Sequence, residues 1–410
     1  MKHNVGFVRM FRNRNFSLFW FGQIVSQFGD QLNQMALVAL IYMLGAGRAS
    51  GIAFSKLMFV GGLPALLFGP IAGVYVDRWN RRKILIASDV LRGVLVLSIP
   101  FLSGSMSSVY GVMFLVFAIN RFFLSAKSAS IPDIVEKEML LAANSMSVSA
   151  GIVVMMVGSG IGGMIVSLVG WKAAFVLDAS TYFISALLLF FLVVKQAPPA
   201  WVGTNIESSV QRFRKDLRMG LRIMVRDKTL LFAIAAFGLV MSLAGVFFVL
   251  YPVWIRNGFQ LGTGSLGTLA LVLGGGMILS SFLVVKFGNR ISRERLILLS
   301  FLLTGMVVLS FSNSLSFPLF LLSSFFMGLS IAPIFIATET MLQENLGNDV
   351  RGKVFGTKDA IAKSGFAFFG ILSGIVIDIA GGKFLIVAAG MICILSAIAG
   401  RIFLYGLRIK

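Results

Sequence analysis

The chain has 410 residues, of which 58% are hydrophobic and 13% are charged, with a mean hydropathy of +0.93 and a formal net charge of +20. Soluble domains carry about a quarter charged residues, so this composition excludes an ordinary soluble protein and indicates a polytopic membrane protein. The cations lie in short clusters between apolar runs and form no basic patch interleaved with aromatic residues, which argues against a nucleic-acid partner.

The apolar runs predict the fold class. Runs long enough to span a bilayer occupy residues 16–44, 51–76, 84–103, 108–126, 145–169 and 171–194. After a polar interval, a second set occupies residues 229–254, 265–286, 296–313, 316–336, 356–380 and 384–405. This pattern predicts an all-α integral membrane protein with 12 transmembrane helices in two pseudo-symmetric six-helix bundles. The predicted bundles are residues 1–194 and 229–410.

The distribution of lysine and arginine predicts the orientation. One set of alternate loops contains most of the cations, whereas the other set contains only Arg48, Lys172, Arg256 and Lys383, with Lys56 just inside a helix end. Because cytoplasmic loops are enriched in these cations, both termini are predicted to be cytoplasmic. The first run is too long for the apolar part of a signal peptide, so we expect no cleavable signal.

A polar cytoplasmic linker is predicted at residues 195–228. It begins with Pro198-Pro199, which cannot continue a helix. From Val210 to Val225, apolar residues recur at helical spacing among arginines and lysines. This pattern predicts an amphipathic helix on the inner leaflet with its cations toward anionic headgroups, and a solvated basic tether is the alternative.

We number the twelve apolar runs as segments 1 to 12 in chain order. Segment 1 has the clearest intramembrane polar stripe. Gln23, Gln27, Asp30 and Gln34 follow one another at 4-3-4 spacing and therefore share one helical face, which should line a water-filled cavity. An ionisable side chain inside a membrane segment marks a function or a satisfied pair. Asp30 is the candidate proton-coupling or cation-contacting carboxylate, and a structural pairing with a neighbouring helix is the alternative.

A dense basic stretch, GVYVDRWNRRK at residues 73–83, joins the second and third runs. An apolar segment that ends in cations and restarts at once predicts a short cytoplasmic loop. Asp77 follows Gly73 by four residues and directly precedes Arg78. Asn80 tolerates the left-handed conformation that a tight turn needs.

Charged residues near this loop are predicted to act as a gate. Asp89 and Arg92 lie one turn apart in segment 3, and we predict that they form a gating or packing network with Asp77 and Arg81. A direct contact with substrate is the alternative for this pair.

A second gate is predicted in the other half. Glu339 and Glu344, at the inner end of segment 10, lie near Arg351 and Lys353 and are expected to form an inner-gate salt bridge, with a substrate site as the alternative.

Three further charges lie inside predicted segments. Arg121 in segment 4 is expected to pair with an acid or hold an anionic substrate group, unless it snorkels to the inner face. Lys363 in segment 11 and Asp178 in segment 6 are further candidates for the cavity.

Cysteine and histidine content excludes several kinds of chemistry. Cys393 is the one cysteine, so no intrachain disulfide is possible, and the one histidine, His3, precedes the first apolar run. No nucleophile–base pair or metal-ligand set can be assembled from the intramembrane residues, and no GxxxxGK[ST] loop is present. We therefore expect no metal, no cofactor, no direct ATP drive and no enzymatic activity.

The two halves of the sequence resemble repeats of each other. Placing residues 286–296 under residues 73–83 aligns Asn289 with Asp77 and keeps most of the cations. The polar turns at residues 126–144 and 337–355 also correspond in length.

Several stretches, in chain order, carry a family resemblance. They are Asn13-Arg14-Asn15-Phe16, Gly29-Asp30, Leu63-Pro64-Ala65, Pro70-Ile71-Ala72-Gly73 with Asp77-Arg78, Ser88 to Arg92, Ala142-Ala143-Asn144, and Arg351 to Phe355. Together they resemble the drug:H+ antiporter branch of the major facilitator superfamily, which includes macrolide-efflux and enterobactin-exporter-like proteins. The run Gly158 to Gly163 resembles the glycine-rich antiporter motif, with Ser159 in the place of its proline and Val154 in the place of another glycine. Plain helix packing is the alternative account of this run.

The resemblance implies a proton-coupled exporter of an amphipathic small molecule in the cytoplasmic membrane of a bacterium. Its two halves would rock about a substrate site near the midplane, and Asp77 and Arg81 would steady the outward-facing state. The expected partners are the small-molecule substrate, protons and the lipid bilayer, and the protein is expected to be monomeric. The alternatives are a lysophospholipid transporter or flippase of the same fold and a transport-inactive sensor or scaffold.

Overall fold

The computed structural model describes residues 10–193, 206–313 and 316–408. The helices are α1 (Arg14–Leu44), α2 (Gly51–Arg78), α3 (Arg81–Leu102), α4 (Met106–Ile134), α5 (Leu140–Phe190), α6 (Ile206–Arg226), α7 (Lys228–Phe259), α8 (Thr263–Phe287), α9 (Arg293–Phe311), α10 (Phe317–Asn345), α11 (Asn348–Ala380) and α12 (Gly382–Arg408). Short 3-10 turns at Lys137–Met139 and Gly288–Arg290 complete the order, and the predicted all-α class is confirmed. His3 and Pro198-Pro199 lie outside the described residues, as do the side chains of Asp77 and Asn289.

Ten helices within these ranges are long and apolar enough to cross a membrane. One of them, α5, has 51 residues and would be about 75 Å long if continuous, more than twice the hydrocarbon core of a bilayer. It is interrupted at Gly170, whose φ of 78° and ψ of 163° are not helical. Helix α1, with 31 residues, is long enough to span a membrane, but it is too polar to count among these ten helices. The predicted count of twelve spans stays a prediction.

The turn between α2 and α3 differs from the predicted one. Helix α2 continues to Arg78, and Asn80 has an extended backbone with φ −66° and ψ 112°. Its side-chain oxygen accepts a hydrogen bond from the backbone N–H of Lys83 at 3.0 Å, which makes it the N-cap of α3. Asn80 therefore does not use the left-handed conformation that asparagine tolerates, because its side chain caps α3 from an extended backbone.

The two polar turns at residues 126–144 and 337–355 are largely helical. Helix α4 continues to Ile134, and α10 continues to Asn345. Ala126, Ile131 and Ile134 are buried in an apolar cluster with Phe16 and Phe19 of α1. Packing against a neighbouring helix extends α4 beyond the apolar run that hydropathy detects.

The chain forms two compact units. Unit 1 comprises Met1–Gly47, Phe59–Gln211 and Gly262–Gly267, and unit 2 comprises Arg48–Met58, Arg212–Leu261 and Thr268–Lys410. In unit 1, α5 packs against α1 and α3, and α3 packs against α4. In unit 2, α11 packs against α7, while α9 packs against α12 and α10. The predicted division at residues 195–228 stays a prediction.

Helix α6, in the region of the predicted linker, packs on unit 2 through part of its surface. Met224 is 2% exposed and joins an apolar cluster with Leu342 and Val354. At Gly220, an added Cβ would lie 2.9 Å from the carbonyl oxygen of Lys353, so only glycine permits this approach to α11. Gly220 and Met224 thus pack on unit 2, whereas Leu221 and Val225 are exposed. The contact of the exposed cations of α6 with headgroups stays a prediction.

Candidate functional site

Unit 1 contains a cluster of polar side chains inside its helices. We call it the polar cluster. Its members are Asp30 and Asn33 of α1, Asp89 and Arg92 of α3, Asn120 of α4, and Asp178 and Tyr182 of α5. Four of the seven, Asp89, Arg92, Asp178 and Tyr182, are at most 1% exposed, whereas Asp30 is only half-buried. Such burial in a membrane-spanning region is costly unless the groups satisfy one another or serve a function.

Arg92 lies at the centre of the polar cluster. Its guanidinium forms an ion pair with Asp89, one turn earlier on α3, and donates a hydrogen bond to Asn120 Oδ1 at 3.1 Å. The guanidinium carbon lies 4.3 Å from the ring centre of Phe123 and 4.4 Å from that of Tyr182. Two aromatic faces and a carboxylate thus replace water around a buried cation.

Tyr182 connects Arg92 to α1. Its hydroxyl donates a hydrogen bond to the carboxylate of Asp30, while its ring covers Arg92. One turn earlier on α5, Asp178 accepts a hydrogen bond from the side-chain amide of Asn33 at 2.6 Å. Residues three or four apart share a helical face, so Asp30 with Asn33 and Asp178 with Tyr182 form two matching pairs across the α1–α5 contact.

The close approach of α1 to α5 requires Gly29. An added Cβ at this position would overlap Thr181 and the carboxylate of Asp178. Glycine is the one residue type without a Cβ, so it lets the two helices bring Asp30 and Asn33 within hydrogen-bonding reach of α5.

The polar cluster has more acidic groups than basic ones. It includes three carboxyl groups, those of Asp30, Asp89 and Asp178, and one guanidinium. One oxygen of Asp89 and one of Asp178 are buried without a hydrogen-bond partner among the described residues. An unpaired carboxylate in a low-dielectric interior is unfavourable, so this arrangement is chemically suited to bind protons or an additional cation.

The structure brings together only some of the predicted cavity residues. Gln23 is 3% exposed, and Gln27 and Gln34 are half-buried on the same helix as Asp30. Gln31, which lies off the predicted stripe, accepts a hydrogen bond from Ser159 Oγ of α5 at 2.6 Å. Gln31 and Asn33 belong to the same polar stretch of segment 1, but the 4-3-4 spacing did not select them.

Arg121 and Lys363 are not part of the polar cluster. Arg121 is half-buried, forms no ion pair with a described acid, and has a buried Nε atom without a partner among the described residues. Lys363 is an exposed residue of α11 in unit 2. The expected pairing of Arg121 with an acid is therefore not found in the described part of the chain.

The predicted cytoplasmic gate is distributed differently. Arg81 forms an ion pair with Asp133 of α4 at 2.6 Å and also donates to the carbonyl oxygen of Ala129 at 2.8 Å. Asp89 and Arg92 instead belong to the polar cluster. The eight and eleven residues that separate them from Arg81 correspond to about 12 and 16 Å along a helix, which is too far for one network.

The remaining loop residues lie at the end of α2. Gly73 is half-buried, with no atom within 4 Å of an added Cβ, and Arg78 is exposed. The side chain of Asp77 lies outside the described part, so its predicted contact with Arg81 stays a prediction.

In unit 2, the two predicted acids have other partners than expected. Glu339 pairs with Lys358 of α11, which is 3% exposed and lies 4.4 Å from the ring centre of Phe237. Glu344 pairs with Arg293 at 3.6 Å. Lys358 lies within the predicted run 356–380 but was not among the candidates, because the spacing along one segment does not show that it meets Glu339 of a neighbouring helix.

Arg351 also has a different role from the predicted one. Its guanidinium donates to the backbone carbonyl oxygens of Gln343 and Leu346, each at 3.2 Å. It thereby satisfies carbonyl groups at the end of α10, which have no partner within the helix.

Asp378 of α11 is a further polar residue that the sequence did not reveal. Its carboxylate accepts hydrogen bonds from the backbone N–H groups of Gly51 at 2.8 Å and Ile52 at 3.0 Å, and from Ser50 Oγ at 2.7 Å. A carboxylate therefore caps the N-terminus of α2 from a helix more than 300 residues later in the chain, within unit 2.

Known proteins resemble the chain over most of its length. The uncharacterized MFS-type transporter YkuC of Bacillus subtilis is 25% identical over 362 residues, covering 85% of this chain and 82% of the relative. Macrolide efflux protein A of Streptococcus pyogenes is 25% identical over 391 residues, covering 93% of this chain and 94% of that protein. A crystal structure of the nucleoside transporter NupG has the same fold, with a TM-score of 0.69, 13% identity and coverage of 94% and 99%.

A family model assigns the chain as a whole. The model described as Major Facilitator Superfamily matches residues 19–289 and 235–408, which together include almost all of the sequence. The matched region contains the polar cluster as well as the ion pairs of unit 2. The chain therefore belongs to the major facilitator superfamily, and it is a multi-pass membrane transporter, not an enzyme.

Proposed function

We propose that this transporter exports an amphipathic small molecule in exchange for protons, and that the polar cluster is its coupling site. The observation that carries the proposal is the link from Asp30 through Tyr182 to Arg92. Support for export and for an amphipathic cargo comes from the similarity to a protein named for macrolide efflux.

Asp30 is the member of the polar cluster through which a proton enters. It is half-buried, whereas Asp89 and Asp178 are fully buried. Arg92 pairs directly with Asp89, so the Asp30 carboxylate has the Tyr182 hydroxyl as its hydrogen-bond donor and feels the charge of Arg92 at longer range. A conformational change that alters the hydration of Asp30 would change its proton occupancy, and proton binding would in turn favour one conformation.

The transport cycle is proposed to be alternating access between two repeats. In this proposal the protein is a monomer in the bacterial inner membrane with both termini cytoplasmic. The loop of Gly73, Asp77, Arg78 and Arg81 would serve as a cytoplasmic gate.

Two steps test the function. Thermal-shift screening of the purified protein against macrolides, siderophores, haem and lysophospholipids selects a cargo. Uptake of that cargo into inverted vesicles is then measured with and without an imposed proton gradient. A lysophospholipid as the sole hit would replace the proposal with a lipid transporter, and the absence of gradient-dependent flux for every hit would favour a sensor or scaffold.

Asp30→Asn tests the coupling site. It should abolish gradient-driven uptake, a loss of at least tenfold, while expression and cargo-induced thermal stabilisation remain. The matched control is Glu138→Gln, which removes an exposed acid between α4 and α5 and should leave uptake unchanged. Normal uptake by Asp30→Asn would remove Asp30 as the coupling residue.

A further inference from the structure

A long groove lies between α7, α9 and α12 of unit 2. It consists of two adjoining cavities of about 580 and 520 Å³, and Leu298 lines both. The first cavity is polar at its rim, where Thr229, Glu294, Arg295 and Arg401 contribute side chains. We call the combined feature the α7–α9–α12 groove.

The second cavity is almost entirely apolar and lies deeper along the helices. Phe232 and Leu239 of α7, Phe301 of α9 and Phe403 of α12 line it. From Thr229 at the polar rim to Leu239 at the far end, α7 advances ten residues, or about 15 Å. Since the hydrocarbon core of a bilayer is about 30 Å thick, the groove is as deep as one leaflet.

Small residues keep the groove open. Ala235 of α7 and Ala399 of α12 both line it and are exposed. At Gly400, an added Cβ would lie 2.7 Å from Leu298 and 3.1 Å from Phe232, so α12 approaches its neighbours closely at the floor. A smooth apolar channel beside exposed methyl groups is suited to an extended hydrocarbon chain.

The polar rim has a net positive charge. Arg295 and Arg401 are exposed and take part in no ion pair or hydrogen bond with the rest of the described chain, and Glu294 lies beside them. Two guanidinium groups with free donors match the oxygens of a phosphate. The carboxylate can accept hydrogen bonds from hydroxyl groups. Basic residues at this end of α7 and α9 indicate the inner leaflet.

We propose that the α7–α9–α12 groove binds one anionic phospholipid of the phosphatidylglycerol class. Arg295 and Arg401 bind its phosphate, a glycerol hydroxyl of its headgroup donates to Glu294, and one acyl chain lies along Ala235 and Ala399. All of its residues belong to unit 2, so the site shares no residue with the polar cluster of unit 1.

Native mass spectrometry of the purified full chain in detergent tests the headgroup contacts. With phosphatidylglycerol titrated in, wild type should retain one lipid, and Arg295→Gln/Arg401→Gln should bind it at least tenfold more weakly. The matched control, Lys172→Gln/Lys383→Gln, also removes two exposed cations and should bind as wild type does. Equal weakening in the control would overturn the site, as would equally strong retention of phosphatidylethanolamine by wild type.

The acyl-chain contact is tested separately. Ala235→Trp fills the apolar part of the groove from an exposed position and should weaken phosphatidylglycerol binding at least tenfold; Ala399→Phe should do the same from the other wall. Circular dichroism and elution profiles identify any misfolded variant, and the second variant then decides. Unchanged phosphatidylglycerol binding in the folded variants would reduce the site to an anion contact and contradict the proposal. The same conclusion would follow if inorganic phosphate alone raised the unfolding temperature of the wild type as much as phosphatidylglycerol does.

Discussion

At the scale of single residues, Arg92 and Lys358 show that the cost of removing a buried cation depends on the exposure of its partner. Arg92 is 1% exposed, and its ion-pair partner Asp89 is fully buried, so neither charge has access to water. Lys358 is also buried, but the side chain of its partner Glu339 is 37% exposed. Loss of Arg92 leaves a buried charge uncompensated, whereas loss of Lys358 leaves a carboxylate that water can still solvate.

Arg92→Gln is accordingly expected to lower the free energy of unfolding by about 3 to 5 kcal/mol. Asp89→Asn/Arg92→Gln should recover a large part of this loss, because it removes both charges together. The midpoint of thermal unfolding in detergent measures the effect, with Lys358→Gln as the comparison that should cost less. A double variant as unstable as Arg92→Gln would show that the ion pair is not the source of the loss.

At the scale of helices, a nearby side chain caps the N-terminus of α3, whereas a side chain from a distant helix caps the N-terminus of α2. Asn80 caps α3 locally, three residues before the N–H group that it binds. Asp378 caps α2 from α11, and Gly51 and Gly374 pack so closely that an added Cβ on either would overlap the other backbone. The first cap can be recognised in the sequence, whereas the second depends on the packing of α2 against α11 within unit 2.

Asp378→Ala should therefore destabilise the start of α2. Three hydrogen bonds to one carboxylate are lost, and we expect a cost of about 1 to 2 kcal/mol, as for other helix caps. Hydrogen exchange of the peptide that contains residues 50–56 should accelerate in the variant. Asp359→Ala, which removes an exposed acid on the same helix, is the control and should leave this exchange unchanged; acceleration in both variants would point to α11 as a whole.

At the scale of the whole molecule, the distribution of lysines and arginines predicts an orientation in the membrane. The loops predicted to face outward contain few cations, among them Lys172 and Lys383, which are both exposed. Glu138 and Arg295 are exposed in regions predicted to be cytoplasmic. Cys393 is the one native thiol and is fully buried, so labelling of introduced cysteines has a low background.

Cysteine labelling tests this direction. Lys172→Cys and Lys383→Cys should react with a membrane-impermeant maleimide on intact cells, whereas Glu138→Cys and Arg295→Cys should react only after the membrane is opened. The physical reason is the preference of translocated loops for few cations. The reverse pattern would place the termini outside and would also move the α7–α9–α12 groove to the other leaflet.

Hydropathy and charge in the sequence alone were sufficient for the all-α membrane class, for most helix positions and for selecting Asp30, Asp89 and Arg92 as charged residues within predicted spans. These features depend on the composition of single segments, and a charged residue in an apolar run is conspicuous by itself. Only the tertiary structure grouped Asp89 and Arg92 with Asp30, gave Glu339 the partner Lys358, and revealed Asp378 as a cap. Such partners lie on different helices, and the spacing of residues along one helix contains no information about which neighbour its face will meet.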